Sequence, residues 1–351
     1  MKQKLLALFL VLSLILGGCG LPQGTSPDTS PSLSGEMLFV HFIDVGQADC
    51  ALIQCGEFTM LIDGGNKDDG RKIVAYLQEQ GVEELDVVVA THAHEDHIGG
   101  LPAVLAVFPT AAVYSPTKTY SSDIFDSFLY YVDQQGLEVT FPEPGGGFTM
   151  EGVTITFLGP LKSYPETNDT SIVLRIDYGE TSFLFTGDAE TVAEQDMMEA
   201  GMDLQADVLK VGHHCSNTST SYRFLSEVDP TYAVISCGKD NSYGHPHEAP
   251  FSRLQQAECV IFRTDQMGTI LATSNGTDIA FTWENQDAEP ENAEGESIFQ
   301  LKLYIGNANS QVFHDPSCGN LPSEKNRVYF YSWFSAQLAG YTPCSSCLPD
   351  R

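Results

Sequence analysis

The sequence predicts an α/β fold, and three observations carry the prediction. Short apolar runs with β-type alternation and stretches of helical spacing follow one another in two halves across residues 36–283. One of the apolar runs, Leu85 to Ala90, reads as a buried strand and delivers Thr91-His92-Ala93-His94-Glu95-Asp96-His97, which holds three of the nine histidines within six positions. Finally, 42 % hydrophobic and 10 % aromatic residues in a chain of 351 suffice for one large domain plus a small one.

The elements follow in order. Lys2 and Lys4 precede an apolar run from Leu5 to Leu16 that is too short to span a bilayer comfortably. Leu16-Gly17-Gly18-Cys19 then resembles a bacterial lipoprotein processing site, so residues 1–19 are expected to be a signal peptide ending at a lipidated Cys19. An ordinary cleaved signal or an uncleaved anchor is the alternative. Residues 20–35 are rich in Pro, Ser, Thr and Gly and read as a flexible tether. Met37 to Val45, Ala51 to Gln54 and Phe58 to Ile62 read as a β-meander that ends in the turn Asp63-Gly64-Gly65. Helical spacing over Lys72 to Gln80 stops at Gly81, and Leu101 to Phe108 reads as a helix with Pro102 in its first turn. Further on come a strand at Ala112 to Tyr114, a helix at Ile124 to Gln135, a strand at Leu137 to Phe141, and a turn at Gly145-Gly146-Gly147. Val153 to Leu158, Ser171 to Asp177 and Ser182 to Phe185 alternate as strands, and Val192 to Glu199 resumes a helix. A strand over Asp207 to Val211 leads to His213-His214, a helix covers Tyr222 to Val228, and a strand over Tyr232 to Ser236 leads to Gly244-His245-Pro246. A helix near Arg253 to Ala257 and strands through Trp283 close the domain.

Residues 284–299 are acidic and aperiodic and read as a linker. Residues 300–351 form a second unit, with an aromatic strand over Val328 to Trp333 and a short helix before Pro343-Cys344-Ser345-Ser346-Cys347. With His314 and Cys318, those two cysteines make a four-ligand set for structural zinc, a staple that a unit of this size needs. A disulfide from Cys318 to either partner is the alternative. Cys50, Cys55, Cys215, Cys237 and Cys259 are an odd number at irregular spacing and read as buried thiols or as the mark of a reducing habitat.

In an extended segment, residues two apart share a side, so His92, His94 and Asp96 can converge just past the strand end while His97 adds a donor from the other side. That suits two cations, with His92 and His94 on one and Asp96 and His97 on the other. Coordination lowers the pKa of water toward neutrality, so such a set points to hydrolysis.

His-x-His-x-Asp-His after a strand resembles the metallo-β-lactamase fold. The phrases Asp44-Val45-Gly46-Gln47, Leu61-Ile62-Asp63-Gly64-Gly65, Phe185-Thr186-Gly187-Asp188-Ala189-Glu190, Val211-Gly212-His213-His214 and Tyr243-Gly244-His245-Pro246 resemble the soluble domain of ComEC-type competence (DNA-uptake) proteins. The resemblance implies an αβ/βα sandwich, two sheets face to face with helices outside. It implies Asp188 as the bridging carboxylate and His213 or His214 on the second ion. The Gly-His order favours His213 as that ligand, with His214 facing substrate. Asp44 and Asp63 would lie beneath the site and orient imidazoles, and His245 would stabilise or protonate the leaving group; His247 reads as surface. The C-terminal unit resembles the zinc module of the Ada DNA-repair protein type, with His314 in place of one cysteine. One departure stands out: the wider fold supplies a third histidine to the first ion, yet none occurs between His97 and His213. Asn168-Asp169 stands near that place, which implies an oxygen-richer shell and harder ions such as Mn²⁺ over Zn²⁺.

The expected function is therefore a lipid-anchored, dinuclear metal-dependent hydrolase on the extracellular face of a bacterial membrane. Its expected substrate is DNA or a related phosphodiester. It would carry two divalent ions (Zn or Mn) in the main domain and one structural Zn in the tail. Seventeen basic against 47 acidic residues give a net charge of −30, which repels nucleic acid except where cations compensate locally. A hydrolase of small esters, lactones or amides, or a non-catalytic surface scaffold, are the alternatives. After residue 20 the chain has no apolar run of spanning length, so no membrane-channel portion is expected in it.

Overall fold

The structure, a computed structural model, describes residues 37–292, 304–330, 336 and 341–348. The signal segment with Cys19, the tether, part of the acidic stretch and most of the short C-terminal helix expected from the sequence lie outside the described residues.

The first half runs β1 (Leu38–Phe42), β2 (Ala51–Cys55), β3 (Phe58–Ile62), α1 (Gly70–Glu79), β4 (Leu85–Val89), α2 (Glu95–Ile98), α3 (Leu101–Leu105), β5 (Thr110–Tyr114), α4 (Asp123–Gln134) and β6 (Val139–Thr140). The second runs β7 (Gly147–Met150), β8 (Val153–Gly159), β9 (Val173–Tyr178), β10 (Thr181–Phe185), α5 (Thr191–Glu199), β11 (Val208–Lys210), α6 (Tyr222–Val228), β12 (Tyr232–Ile235), α7 (Glu248–Gln256) and β13 (Val260–Arg263). Then α8 (Thr264–Met267), β14 (Ile270–Ser274) and β15 (Ile279–Trp283) return the chain to the first sheet. The sheet orders are β15-β14-β1-β2-β3-β4-β5-β6 and β13-β12-β11-β10-β9-β8-β7.

The strand patterns explain the layers. β3 is buried at all five positions, as a strand covered on both faces must be. Its Phe58, Met60 and Ile62 face the other sheet, joining Val40, Phe42, Ile176, Phe183, Phe185 and Phe262 in a core between the sheets. Leu61 faces outward and packs with Ile73 and Leu77 of α1 and Phe125, Phe128 and Val132 of α4. The 3/4 spacing of those helix residues gives each helix one apolar stripe, and Ser122 caps α4 by accepting from the Phe125 N–H at 3.2 Å. A matching core lies outside the second sheet against α5, α6 and α7. The result is a four-layer αβ/βα sandwich.

β3, β4 and β5 pair in parallel, as do β10, β11, β12 and β13. The loops at their carboxyl ends carry the candidate site residues, the usual place for ligands on parallel strands.

Several sequence expectations are adjusted. Gly147 opens a strand rather than only a turn, because a Cβ there would meet Ile155 O at 1.8 Å, so only glycine permits the pairing with β8. α7 starts five residues before the predicted Arg253, with Pro250 tolerated in its first turn where N–H groups lack helical partners. The strand expected over Leu137 to Phe141 shortens to two residues. Of the acidic stretch, Glu291 exchanges two backbone hydrogen bonds with Ile261, both 3.0 Å, so its first part is tied to β13.

The second unit has β16 (Tyr304–Asn307), β17 (Val312–His314), β18 (Arg327–Phe330) and β19 (Thr342–Pro343) in the order β18-β16-β17-β19. Its core is Tyr304, Phe313, Phe330 and Ala336.

Candidate metal centre

β4 ends at the His-rich stretch, and α2 starts at Glu95, which turns Asp96 and His97 inward one helical step after His92 and His94. Asp188 follows β10, and His213-His214 follow β11. These side chains meet around Asp188. His97 Nε2 lies 3.2 Å from its Oδ1, and His92, His213 and His214 Nε2 lie 3.9, 3.7 and 3.9 Å from its Oδ2. His94 Nδ1 is 3.0 Å from His92 Nε2, and Asp96 Oδ2 is 3.4 Å from His214 Nε2.

The far nitrogen of four imidazoles is engaged by the protein, which leaves the near nitrogen aimed at Asp188. His97 Nδ1 donates to Asp63 Oδ2 at 2.7 Å, and Asp63 is itself fixed by the Thr91 N–H and hydroxyl, both 2.7 Å. His214 Nδ1 faces Ser236 O at 3.0 Å and Asp49 Oδ1 at 3.3 Å. His92 Nδ1 has Thr91 Oγ1 at 3.3 Å and Ser171 Oγ at 3.4 Å, and Ser171 Oγ also accepts the Asp188 N–H. His213 Nδ1 has Thr218 Oγ1 at 3.0 Å and Glu190 Oε1 at 3.2 Å. This is the outer wiring that fixes the tautomer of a metal-binding histidine. A direct test of fit comes from His97 Nε2, His214 Nε2 and Asp188 Oδ1, which are buried without a hydrogen-bond partner. Buried polar atoms are otherwise almost always paired, so three such atoms converging on one region fit a cation. Ligand atoms of Asp96, His97, Asp188 and His214 all lie within 4.8 Å of one another.

The electrostatics agree. Burial works to raise the Asp188 pKa, but His97 and His214 hold it well below the carboxylate range. Burial lowers His97 and His214, yet Asp188 with Asp63 holds His97 well above its usual value, and Asp188 with Asp49 lifts His214 to about 10. Without a cation, protons on these rings neutralise the carboxylates. Burial and then the neighbouring His97 depress His92.

The structure sorts the expected residues. His214 Nε2, rather than that of the His213 favoured from sequence, stands in one group with Asp96 and His97. Asp63 lies against His97. Asp44 does not reach an imidazole: its Oδ1 accepts the Gly46 N–H at 3.0 Å and its Oδ2 faces Lys72 at 4.0 Å. The carboxylate that does is Asp49, five residues on and not singled out by the sequence, held by buried Lys210 at 2.7 Å. Asp169 is spent on the start of α5, where its Oδ1 accepts the Glu190 and Ala193 N–H groups at 3.1 and 3.3 Å. Asn168 remains beside the site, with Nδ2 3.5 Å from His213 Nε2.

His245 lies beyond His214, ring centroids 6.1 Å apart. Gln47 Oε1 accepts the Gly238 N–H at 3.0 Å, which turns Gln47 Nε2 to donate to His245 Nδ1 at 3.1 Å. His245 therefore keeps its hydrogen on Nε2. Burial and then His214 lower its pKa to about 4, so at neutral pH it is a neutral donor, which suits the stabilising one of the two roles expected from sequence. His247 is partly exposed, and its Nδ1 accepts the Asn217 N–H at 3.0 Å. A cavity of about 500 Å³ opens beside His245, lined by Lys239, Asn241, Arg263 and Asp265.

In the second unit, ligand atoms of His314, Cys318, Cys344 and Cys347 lie within 4.8 Å of one another, and Cys318 Sγ is 3.4 Å from His314 Nδ1. Cys318, Cys344 and Cys347 form no disulfide, nor do the buried Cys50, Cys55, Cys215, Cys237 and Cys259.

A sandwich carrying such a His/Asp centre at its strand ends defines a metal-dependent hydrolase. The family model described as the metallo-beta-lactamase superfamily matches residues 43–239, and the chain belongs to that superfamily. Residues 293–350 match the metal binding domain of Ada. The chain is 32 % identical over 261 residues to ComE operon protein 3 of Bacillus subtilis (strain 168), covering 68 % of this chain and 33 % of that protein. It is 32 % identical over 230 residues to Competence protein ComA of Neisseria gonorrhoeae, covering 65 % and 31 %. It thus spans about a third of the length of these curated relatives. Among solved structures, the metallo-beta-lactamase fold protein YhfI from Bacillus subtilis aligns with a TM-score of 0.47 at 18 % identity, over 68 % of this chain and 100 % of that one.

Proposed function

We propose that the chain is an exported, lipid-anchored phosphodiesterase with a two-ion centre, acting at the outer face of a bacterial membrane on DNA or a related phosphodiester. The observation that carries this reading is the pair of donor groups hinged on Asp188, with a neutral imidazole donor, His245, one ring further out. When bound, two divalent ions supply Lewis acidity and a water activated at neutral pH. His245 Nε2–H is placed to donate to a phosphoryl or leaving-group oxygen as charge develops there. Asp96, half-exposed where Asp188 is buried, faces the entry and is placed to orient the attacking water. Relatives named for competence favour DNA. So does Tyr243, 68 % exposed and stacked on His245 at 5.7 Å, which offers a free ring face to a base. Two dications would also offset the −30 charge where a phosphate must sit.

The test supplies the purified protein with Mn²⁺ or Zn²⁺ and offers bis-p-nitrophenyl phosphate, single-stranded DNA, a lactone and a β-lactam in parallel. Turnover of the phosphodiesters supports the reading, and turnover confined to the lactone or β-lactam overturns it. Loss of the protein from the membrane fraction in Cys19→Ser is the expected outcome for the anchor.

A further inference from the structure

The absent third histidine leaves the first ion short of a donor, and the loop after β11 supplies one. His213, His214 and Cys215 have φ of 48°, 52° and 66°, three consecutive non-glycine residues in the left-handed region. Such a residue is strained and persists only when its surroundings enforce it. The enforcing contacts are visible: His213 N–H bonds to Gly187 O at 3.1 Å, and Ser216 N–H to His213 O at 2.8 Å. What the conformation achieves is unusual for sequence neighbours, since both imidazoles point their Nε2 at Asp188 Oδ2, at 3.7 and 3.9 Å.

His214 then turns to Asp96 and His97. His213 does not: its side chain meets Asn168, Glu190 and Thr218, and its ring lies edge-on to His245 with centroids 5.8 Å apart. Its wiring resembles that of the other rings, with Nδ1 held by protein oxygens and Nε2 turned toward Asp188 Oδ2 at 3.7 Å, with Asn168 Nδ2 beside it at 3.5 Å. We propose that the two adjacent histidines divide between the ions, His214 joining Asp96, His97 and Asp188 on the second, and His213 joining His92, His94 and Asp188 on the first. His213 thereby replaces, from a different part of the chain, the histidine that the segment before β9 lacks. The first ion keeps three nitrogen donors, so the oxygen-rich shell expected from Asn168-Asp169 does not arise. Thr218 and Glu190 are positioning residues for His213.

The inference rests on the two-ion reading of the site but not on any substrate, and binding is measured without turnover, so the two can fail separately. Ion-stripped full-length protein is titrated with Co²⁺ and followed by calorimetry and by ligand-field absorption; thiolate-to-cobalt bands in the near ultraviolet report the C-terminal cluster separately. Wild type is expected to take two Co²⁺ in the main domain. His213→Ala should keep one tight site and weaken the other by at least 10-fold. Two ligands of one ion are not additive once that ion is lost. His92→Ala/His213→Ala should therefore still bind one Co²⁺, whereas His97→Ala/His213→Ala should bind none tightly. Unchanged affinity at both sites in His213→Ala overturns the proposal, as does loss of both ions in His92→Ala/His213→Ala with retention of one in His97→Ala/His213→Ala. Thr218→Val, which leaves both imidazoles in place, gives a milder version and should weaken only the first site; weakening of the second site instead counts against the assignment.

Discussion

Gln47→Glu isolates the tautomer of His245. The variant carboxylate can still accept the Gly238 N–H, so the loop contact at 3.0 Å survives. What changes is the atom 3.1 Å from His245 Nδ1, where a donor becomes an anionic acceptor. The neutral ring must then carry its hydrogen on Nδ1 and present a lone pair to the site. An adjacent carboxylate also favours the imidazolium, raising the pKa from about 4 by roughly 1–3 units. Below the raised pKa the ring is doubly protonated and Nε2–H still donates; above it the donor is gone. Losing one preorganised donor costs about 10²- to 10³-fold in kcat. The expected pH–rate profile on bis-p-nitrophenyl phosphate is therefore a fall of that size on the alkaline side of a transition at about pH 5–7, where wild type shows none. Nitrogen-15 spectra of labelled histidine should show Nε2–H in wild type and Nδ1–H in the variant. A variant as active as wild type at pH 8, or a wild-type His245 carrying its hydrogen on Nδ1, would refute the reasoning.

Lys210→Met removes the cation from buried Asp49 and leaves that carboxylate unpaired, so stability should fall by about 3–5 kcal/mol. The affinity of the second ion should fall about 10- to 100-fold because His214 loses its support, as Co²⁺ titration alongside thermal melting can show. Asp96→Ala should abolish hydrolysis by more than the lost metal affinity explains, which turnover measured at saturating metal decides. Cys344→Ser/Cys347→Ser should lower the zinc content of the full chain by about one ion while leaving main-domain metal unchanged, read by elemental analysis. In the ion-stripped protein the His214 pKa of about 10 lies above its unfolded value of 6.5, so its stabilisation is full below pH 6.5 and is lost as pH rises through 10. Cation binding must displace that proton; calorimetry in buffers of different ionisation enthalpy should register its release, and affinity should drop as pH falls.

His92, His94, Asp96 and His97 were legible because they are contiguous and follow an unmistakable strand, so spacing alone implies convergence. Asp188 and the His213-His214 pair were legible only as phrases, since nothing local says which strand ends meet. The split between His213 and His214 was hidden because it depends on three positive φ angles, and neither His nor Cys advertises the left-handed region as glycine does. Asp49 was hidden for another reason: its partners are Lys210 and His214, more than 160 positions away, and Asp44 in the neighbouring turn looked equally suitable. The acidic run misled through composition, because Glu291 uses only its backbone to pair with Ile261, and backbone pairing leaves no compositional trace.

The centre belongs to neither sheet alone. The first sheet and its loops bring Asp49, Asp63, His92, His94, Asp96 and His97; the second brings Asp188, Lys210, His213, His214 and His245. The contacts that set ring orientation cross between them, Asp49 to Lys210 and His214, and Gln47 to His245. Packing of Phe42 on Phe185, stacked with centroids 5.6 Å apart in the core between the sheets, is thus upstream of the geometry at Asp188, which lies three residues beyond Phe185. Closing the sandwich also gathers Asp49, Asp63, Asp96 and Asp188 with Lys210 as the one lysine or arginine in contact with them among the described residues. Three buried carboxylates with the partly exposed Asp96 beside them need more positive charge than one ammonium, and protonated His97 and His214 supply it at the expense of their lone pairs. Divalent ions meet the same need and return those rings to neutrality, so the interactions that close the two halves are the ones that call for metal.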